Sequence, residues 1–109
     1  MNIQIEILND STIISLDGDV DTIESNTLRN QLKQILESSS SRIVIDLSGV
    51  KYMDSSGIAT LIEALQLCKQ NSKQFVICGL QDGVRSIMEL ARLDTIFIIT
   101  SNREEALIA

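Results

Sequence analysis

The chain has no histidine, no proline and no tryptophan, and only one tyrosine and two phenylalanines among its 109 residues. Without histidine, general acid–base catalysis by imidazole, Ser-His-Asp triads and zinc sites built on imidazole are excluded. So few aromatic side chains leave no stacking platform for nucleobases or sugars. The missing proline suits a chain made almost wholly of regular elements. Positive charge is also scarce: Lys and Arg total 9 against 15 Asp and Glu, a formal net charge of −6, with no basic cluster longer than one residue. Nucleic-acid backbones and anionic membrane surfaces both need concentrated Lys and Arg, so neither is an expected partner. The two cysteines, Cys68 and Cys78, sit among apolar neighbours far from any CxxC spacing and read as buried, reduced thiols. No run approaches the roughly 20 apolar residues of a membrane span. Glu6, Asn9 and Asp10 interrupt the N-terminal region too early for a signal peptide. Cytoplasmic location follows as the default expectation, with no cofactor and no metal site.

What is present is a regular alternation of two periods. Ile3, Ile5 and Ile7 alternate with Gln4 and Glu6, the pattern of a strand with one face exposed, and Thr12 to Leu16 reads as a second strand after an Asn9-Asp10-Ser11 turn. An N-terminal hairpin with its first strand at a sheet edge is predicted. Ile23, Leu28, Leu32, Ile35 and Leu36 suit a helix stripe, with an imperfect step of five between Ile23 and Leu28. The run Ser38 to Ser41 would end that helix. Ile43 to Leu47 is nearly continuous and β-branched, as expected of a strand covered on both faces. Ile58, Leu61, Ile62, Leu65 and Cys68 form the clearest amphipathic helix, and Phe75 to Cys78 a further buried strand. A helix marked by Val84, Ile87, Met88 and Ala91, a last strand Ile96 to Ile99 and a short helix Arg103 to Ile108 complete the pattern. The expectation is a single α/β domain over residues 1–109. Its mostly parallel sheet would have four to five strands, an N-terminal edge hairpin and about four flanking helices.

Function in open α/β sheets gathers where strands end and helices begin. The most informative such place is Asp54-Ser55-Ser56-Gly57. Asp54 is a good helix N-cap, and the next three residues would form the first turn with free backbone N–H groups. A plain cap accounts for Asp54. Two hydroxyls beside the cap, followed by a residue without a side chain, also make an accessible phosphate acceptor. Phosphate adds about −1.5 to −2 charges, which a helix N-terminus favours by roughly 0.3–1 kcal/mol. Like-charge contact with a partner costs several kcal/mol. A phosphate here would therefore switch binding and spare the fold. Nothing in these local arguments separates Ser55 from Ser56.

The segment Val50 to Ile58, containing Lys51, Tyr52 and Asp54-Ser55-Ser56-Gly57, resembles the signature of STAS domains of the anti-sigma factor antagonist group. Gly18-Asp19-Val20-Asp21 is similar to that family's early Gly-x-x-Asp, and Ile43 to Leu47 to its central strand. The resemblance implies partner switching. The unmodified protein binds an anti-sigma factor that is also a serine kinase, which frees the sigma factor. The kinase phosphorylates the Ser directly after the Asp, here Ser55, and the complex dissociates; a metal-dependent serine phosphatase resets it. The family's early Asp, near the phosphorylation site, corresponds to Asp21, which equally suits a cap for the first helix. Partner contact is expected at Asp21, Lys51, Tyr52, Asp54, Ser55, Ser56 and Gly57, extended by Glu63 and Gln66 of the second helix. One departure stands out: the family often carries a Gly before its last strand, where this chain has Ala91-Arg92-Leu93-Asp94.

Rival readings are weaker. A calcium loop starting at Asp17 would need Gly and an acidic residue where Thr22 and Leu28 stand. A phosphorelay receiver with Asp46 as acceptor lacks the Lys expected after the last strand. Ser55 as a hydrolase nucleophile lacks both the Gly-x-Ser-x-Gly elbow and a histidine. The alternative within the same fold is a STAS subunit of a lipid or anion transport complex, which would bind a permease or its ATPase.

Overall fold

Runs of β-branched residues alternating with helical stripes build a βαβ succession, and the computed structural model, which describes residues 1–109, has that order. Strands β1 (Asn2–Leu8) and β2 (Ser11–Asp17) form the hairpin. They are followed by α1 (Thr22–Leu36), β3 (Arg42–Gly49), α2 (Ser55–Gln70), β4 (Gln74–Cys78) and α3 (Asp82–Leu90). A 3-10 turn (Leu93–Thr95), β5 (Ile98–Thr100) and α4 (Arg103–Leu107) close the chain. The five strands lie in the order β1-β2-β3-β4-β5, with β1 antiparallel to β2 and every other pair parallel. Right-handed crossovers that always step the same way put α1, α2 and α3 on one face. The main core lies there, with Ile14, Ile43, Ile45 and Ile77 of the sheet against Leu28, Leu32, Leu61, Val84 and Met88 of the helices. On the other face Ala106 of α4 covers Ile13, Val44, Val76 and Cys78. Burial on both faces is why β3 reads as a nearly unbroken apolar run. Both cysteines are buried and unpaired. No helix is long and apolar enough to cross a membrane.

Asp46 is the exception in β3. It is buried, and its carboxylate accepts from Arg103 Nε at 2.7 Å and from the Ser48 backbone N–H at 3.0 Å, while Arg103 also donates to the Ser15 hydroxyl. Burial pushes the carboxyl up, but the bonds from Arg103 and Ser48 together outweigh it and hold the group below its ordinary value. A lowered folded-state value stabilises the fold above the ordinary carboxylate range, and that contribution is lost as pH falls through the lowered value. Wild type should therefore exceed Asp46→Asn in urea-unfolding stability at neutral pH. The gap should close as pH falls below about 4; a gap independent of pH would contradict the assignment.

Several boundaries differ from the sequence reading. Ile23 does not belong to the α1 stripe: it is 76% exposed, and the buried positions are Ser25, Leu28, Leu32 and Ile35, in steps of three, four and three. The step of five in the apolar pattern marked a buried serine. The last strand begins at Ile98 and not at Ile96, because Ile96 ends the 3-10 turn with its N–H bonded to Leu93 O. The isoleucine face of β1, expected to be the covered one, is only half-covered at Ile3 and is exposed at Ile5 and Ile7. Arg92 takes a left-handed conformation, φ 59°, just past the end of α3. Glycine is the usual residue for that position, so the departure noted at Ala91-Arg92-Leu93 carries a conformational cost. Arg92→Gly should raise stability by about 0.5–1 kcal/mol, read as a higher urea midpoint; a lower midpoint would contradict this.

Candidate functional site

Two loops meet at the C-terminal edge of the sheet and set the site. Val20 and Met53, both fully buried, form a parallel bridge between the β2–α1 and β3–α2 connections. Val20 N donates to Tyr52 O at 3.1 Å, and Asp54 N donates to Val20 O at 3.2 Å. The N-termini of α1 and α2 are thereby pinned side by side, each capped by an aspartate. Asp21 accepts from Glu24 N at 2.9 Å, the capping role its sequence position allowed. Asp54 Oδ1 accepts from Ser56 N at 3.0 Å and Gly57 N at 3.2 Å. Two of the orphan donors of α2 are thus satisfied by one carboxylate oxygen. Thr22 Oγ1 donates to the other oxygen of Asp54 at 3.4 Å, a direct link between the two caps.

The two serines of the signature differ sharply here. Ser56 Oγ donates to Asp54 Oδ1 at 2.5 Å and lies 3.2 Å from Ser25 Oγ, on the side of α2 that faces α1. Ser25 is buried, with Thr22 O also within reach at 2.9 Å. The Ser56 bond is the main cause holding the Asp54 carboxyl below its usual range; partial burial opposes it, and the N–H groups of Gly57 and Ser56 add to it. Ser55, by contrast, is exposed, and no hydrogen bond engages its hydroxyl. Being the first residue of α2, it projects where the helix dipole favours negative charge. No base is bonded to the Ser55 hydroxyl, so nothing in the site activates it as a nucleophile. It can accept a group delivered from outside.

Beside Ser55 runs an open groove of about 500 Å³, lined by Tyr52, Met53, Asp54, Ser55, Ile58, Ile87 and Ala91. Two close approaches shape it. A Cβ on Gly57 would lie 2.5 Å from Met53 Cγ and 3.0 Å from Val20 Cγ1, so α2 can settle on the bridged loops only with glycine there. A Cβ on Gly83, in the first turn of α3, would lie 3.0 Å from Lys51 O, which lets α3 close the far wall.

Of the residues expected from the sequence, Asp21, Lys51, Tyr52, Asp54, Ser55, Ser56 and Gly57 all lie on these two joined loops and helix starts. Lys51, Tyr52, Ser55 and Asp21 are exposed; Gly57 is buried and shapes the site from beneath. Glu63 is not a free contact residue: it pairs with Arg29 of α1, Nε to Oε2 at 2.8 Å. Gln66 is exposed but lies eleven residues along α2 from Ser55, about 16 Å away along the axis. Sequence reasoning missed Thr22, Ser25, Ile87 and Ala91. Ser25 was signalled by the broken stripe of α1. The place of Ile87 and Ala91 beside the groove had no local signal, because α3 reaches the β3–α2 loop only through tertiary packing.

The family model described as the STAS domain matches residues 2–106. The anti-sigma F factor antagonist of Paenibacillus polymyxa is 27% identical over 110 residues, covering 98% of this chain and 94% of that protein. The crystal structure of an anti-sigma factor antagonist from Mycobacterium paratuberculosis superposes with a TM-score of 0.89 at 21% identity, over 98% of this chain and 91% of that one. The Bacillus cell fate determinant SpoIIAA, solved in its phosphorylated form, gives a TM-score of 0.76 at 17% identity, over 97% and 96% of the two chains. At these identities the two structures establish a shared fold.

Proposed function

The chain belongs to the STAS domain family, and from that premise we propose that it is an anti-sigma factor antagonist working by partner switching in the cytoplasm. In its unmodified form it binds an anti-sigma factor that is also a serine kinase, and the sigma factor is freed. Phosphorylation of Ser55 dissolves the complex, and a metal-dependent serine phosphatase restores the binding form. The observation that carries this reading is the contrast at the start of α2. Ser55 presents an exposed, unbonded hydroxyl beside an apolar groove, while Ser56 is held by Asp54 and lies against Ser25. The names of relatives such as the Paenibacillus polymyxa protein support the role, and the SpoIIAA structure in a phosphorylated form supports modification as its switch. The role requires no catalytic group in this chain.

A kinase that reaches Ser55 must cover the groove at its side, so Ile87 becomes part of the contact although it lies 32 residues away in sequence. Ile87→Asp should fold normally, since the side chain is 37% exposed. It should weaken binding about 10- to 100-fold by isothermal titration, the loss typical of a charge placed at the core of an interface; an unchanged Kd would remove the groove from the contact. The role itself is tested by mixing the chain with its cognate anti-sigma factor and following the complex by size-exclusion chromatography. A complex that forms and then disperses on addition of ATP is expected. Failure to form a complex with or without nucleotide would overturn the proposal.

A further inference from the structure

The sheet has two edges, and they are treated differently. β5 is three residues long, the short edge by which proteins avoid pairing with other chains. β1 is seven residues long and pairs one-to-one with β2 without a bulge. It contains no Lys, Arg, Pro or Gly, and Glu6, its one charge, is the only one of the usual protections present. Along one face Ile5 is 45% and Ile7 67% exposed, and on the other Leu8 is 41% exposed. A long, regular edge guarded by a single carboxylate, with exposed isoleucines along one face, is open to a neighbouring strand.

We propose that the neighbour is a second copy of this chain, joined by antiparallel pairing of β1 with β1 of the partner about a two-fold axis at Ile5. The sequence Ile3-Gln4-Ile5-Glu6-Ile7 is nearly a palindrome about its centre. In that register Ile5 meets Ile5 of the other copy, Ile3 meets Ile7, and Gln4 meets Glu6, so the single charge of the strand faces an amide. Cross-strand isoleucines then form one apolar row on the helix-bearing side, the side of Ile14 and Leu16 opposite Ile5 and Ile3. Other registers are worse. A two-fold at Glu6 opposes two carboxylates, one at Gln4 sets Ile7 against Met1 outside the strand, and a one-residue slip sets isoleucine against Glu6. A strand of seven residues provides less than the about 800 Å² per partner of a stable complex, so the dimer dissociates on dilution. Antiparallel pairing makes a ten-stranded sheet with the two Ser55 sites at opposite ends, each open. The dimer and the switch are independent.

Single-cysteine variants read the register directly. Ile5→Cys places two thiols opposite each other with Cα atoms about 4.5–5.5 Å apart, within disulfide range. Ile7→Cys separates them by four residues along the strand, about 13 Å, which is out of range. The native Cys68 and Cys78 do not compete, being buried with thiols pushed up to about 11. Under mild oxidation Ile5→Cys should give a covalent dimer on a non-reducing gel and Ile7→Cys should not. By sedimentation equilibrium the wild type should show a monomer–dimer equilibrium in the micromolar-to-millimolar range. Gln4→Lys, opposite Glu6, should tighten that equilibrium and Gln4→Glu should loosen it, each several-fold. A wild-type chain that stays monomeric throughout, equal cross-linking of the two cysteine variants, or a Kd unmoved by both Gln4 substitutions overturns the proposal.

Discussion

Ser55→Asp should bind the anti-sigma factor about a hundredfold more weakly than wild type, while Ser55→Ala binds as wild type and continues to do so in the presence of ATP. The size follows from the position. Ser55 is exposed at the first turn of α2, so a carboxylate there is accepted by the helix dipole and the fold is unaffected. The penalty falls on the complex: with the proposed kinase as partner, the added charge would meet the phosphates of its bound nucleotide, and like charges in contact cost several kcal/mol. About 2.7 kcal/mol corresponds to a hundredfold change in Kd. Ser56→Ala separates the two serines: it deletes the hydroxyl that holds Asp54, yet leaves the acceptor in place. It should lose at most about 1 kcal/mol of stability and still be phosphorylated. Equal binding by Ser55→Asp and wild type, measured by titration calorimetry, would sink the electrostatic account.

The second large effect is on stability. Gly57→Val should destabilise the domain by about 2–3 kcal/mol in urea unfolding, because the added atoms enter a packed junction. Even a Cβ would stand 2.5 Å from Met53 Cγ and 3.0 Å from Val20 Cγ1, and both of those residues are fully buried. Either Met53 moves or α2 lifts from the bridged loops, and both spoil the placement of Asp54 and Ser55. Shortening Met53 should relieve the clash. Gly57→Val combined with Met53→Ala should therefore lose less than the sum of the two single losses, since residues in contact couple. Additive losses would show that the glycine matters for some other reason.

Much of this was legible in the chain. The β-branched run at Ile43 to Leu47 and the stripe of α2 are long, one-period signals, and both elements lie where those signals put them. Asp54 caps α2 because an aspartate ahead of three residues with free N–H groups has little else to do locally. Other features depend on tertiary contact and left weak traces. A serine on the buried face of α1 looked like a flaw in the apolar pattern; its meaning appears only when Ser56 of α2 is beside it. Ile5 and Ile7 carry the strand pattern faithfully, but whether their face is covered depends on how far α1 extends over the edge, which no local rule gives. The placing of Ile87 beside Ser55 arises from the order of strands. The choice between Ser55 and Ser56, open at the level of composition and spacing, turns on which hydroxyl already has partners.

That choice is also where the functional account is most exposed. Wild-type chain incubated with its cognate anti-sigma factor kinase and ATP, then digested and sequenced by tandem mass spectrometry, should carry one phosphate, on Ser55. Phosphate on Ser56, on another residue, or on none with the kinase that binds the chain would contradict it.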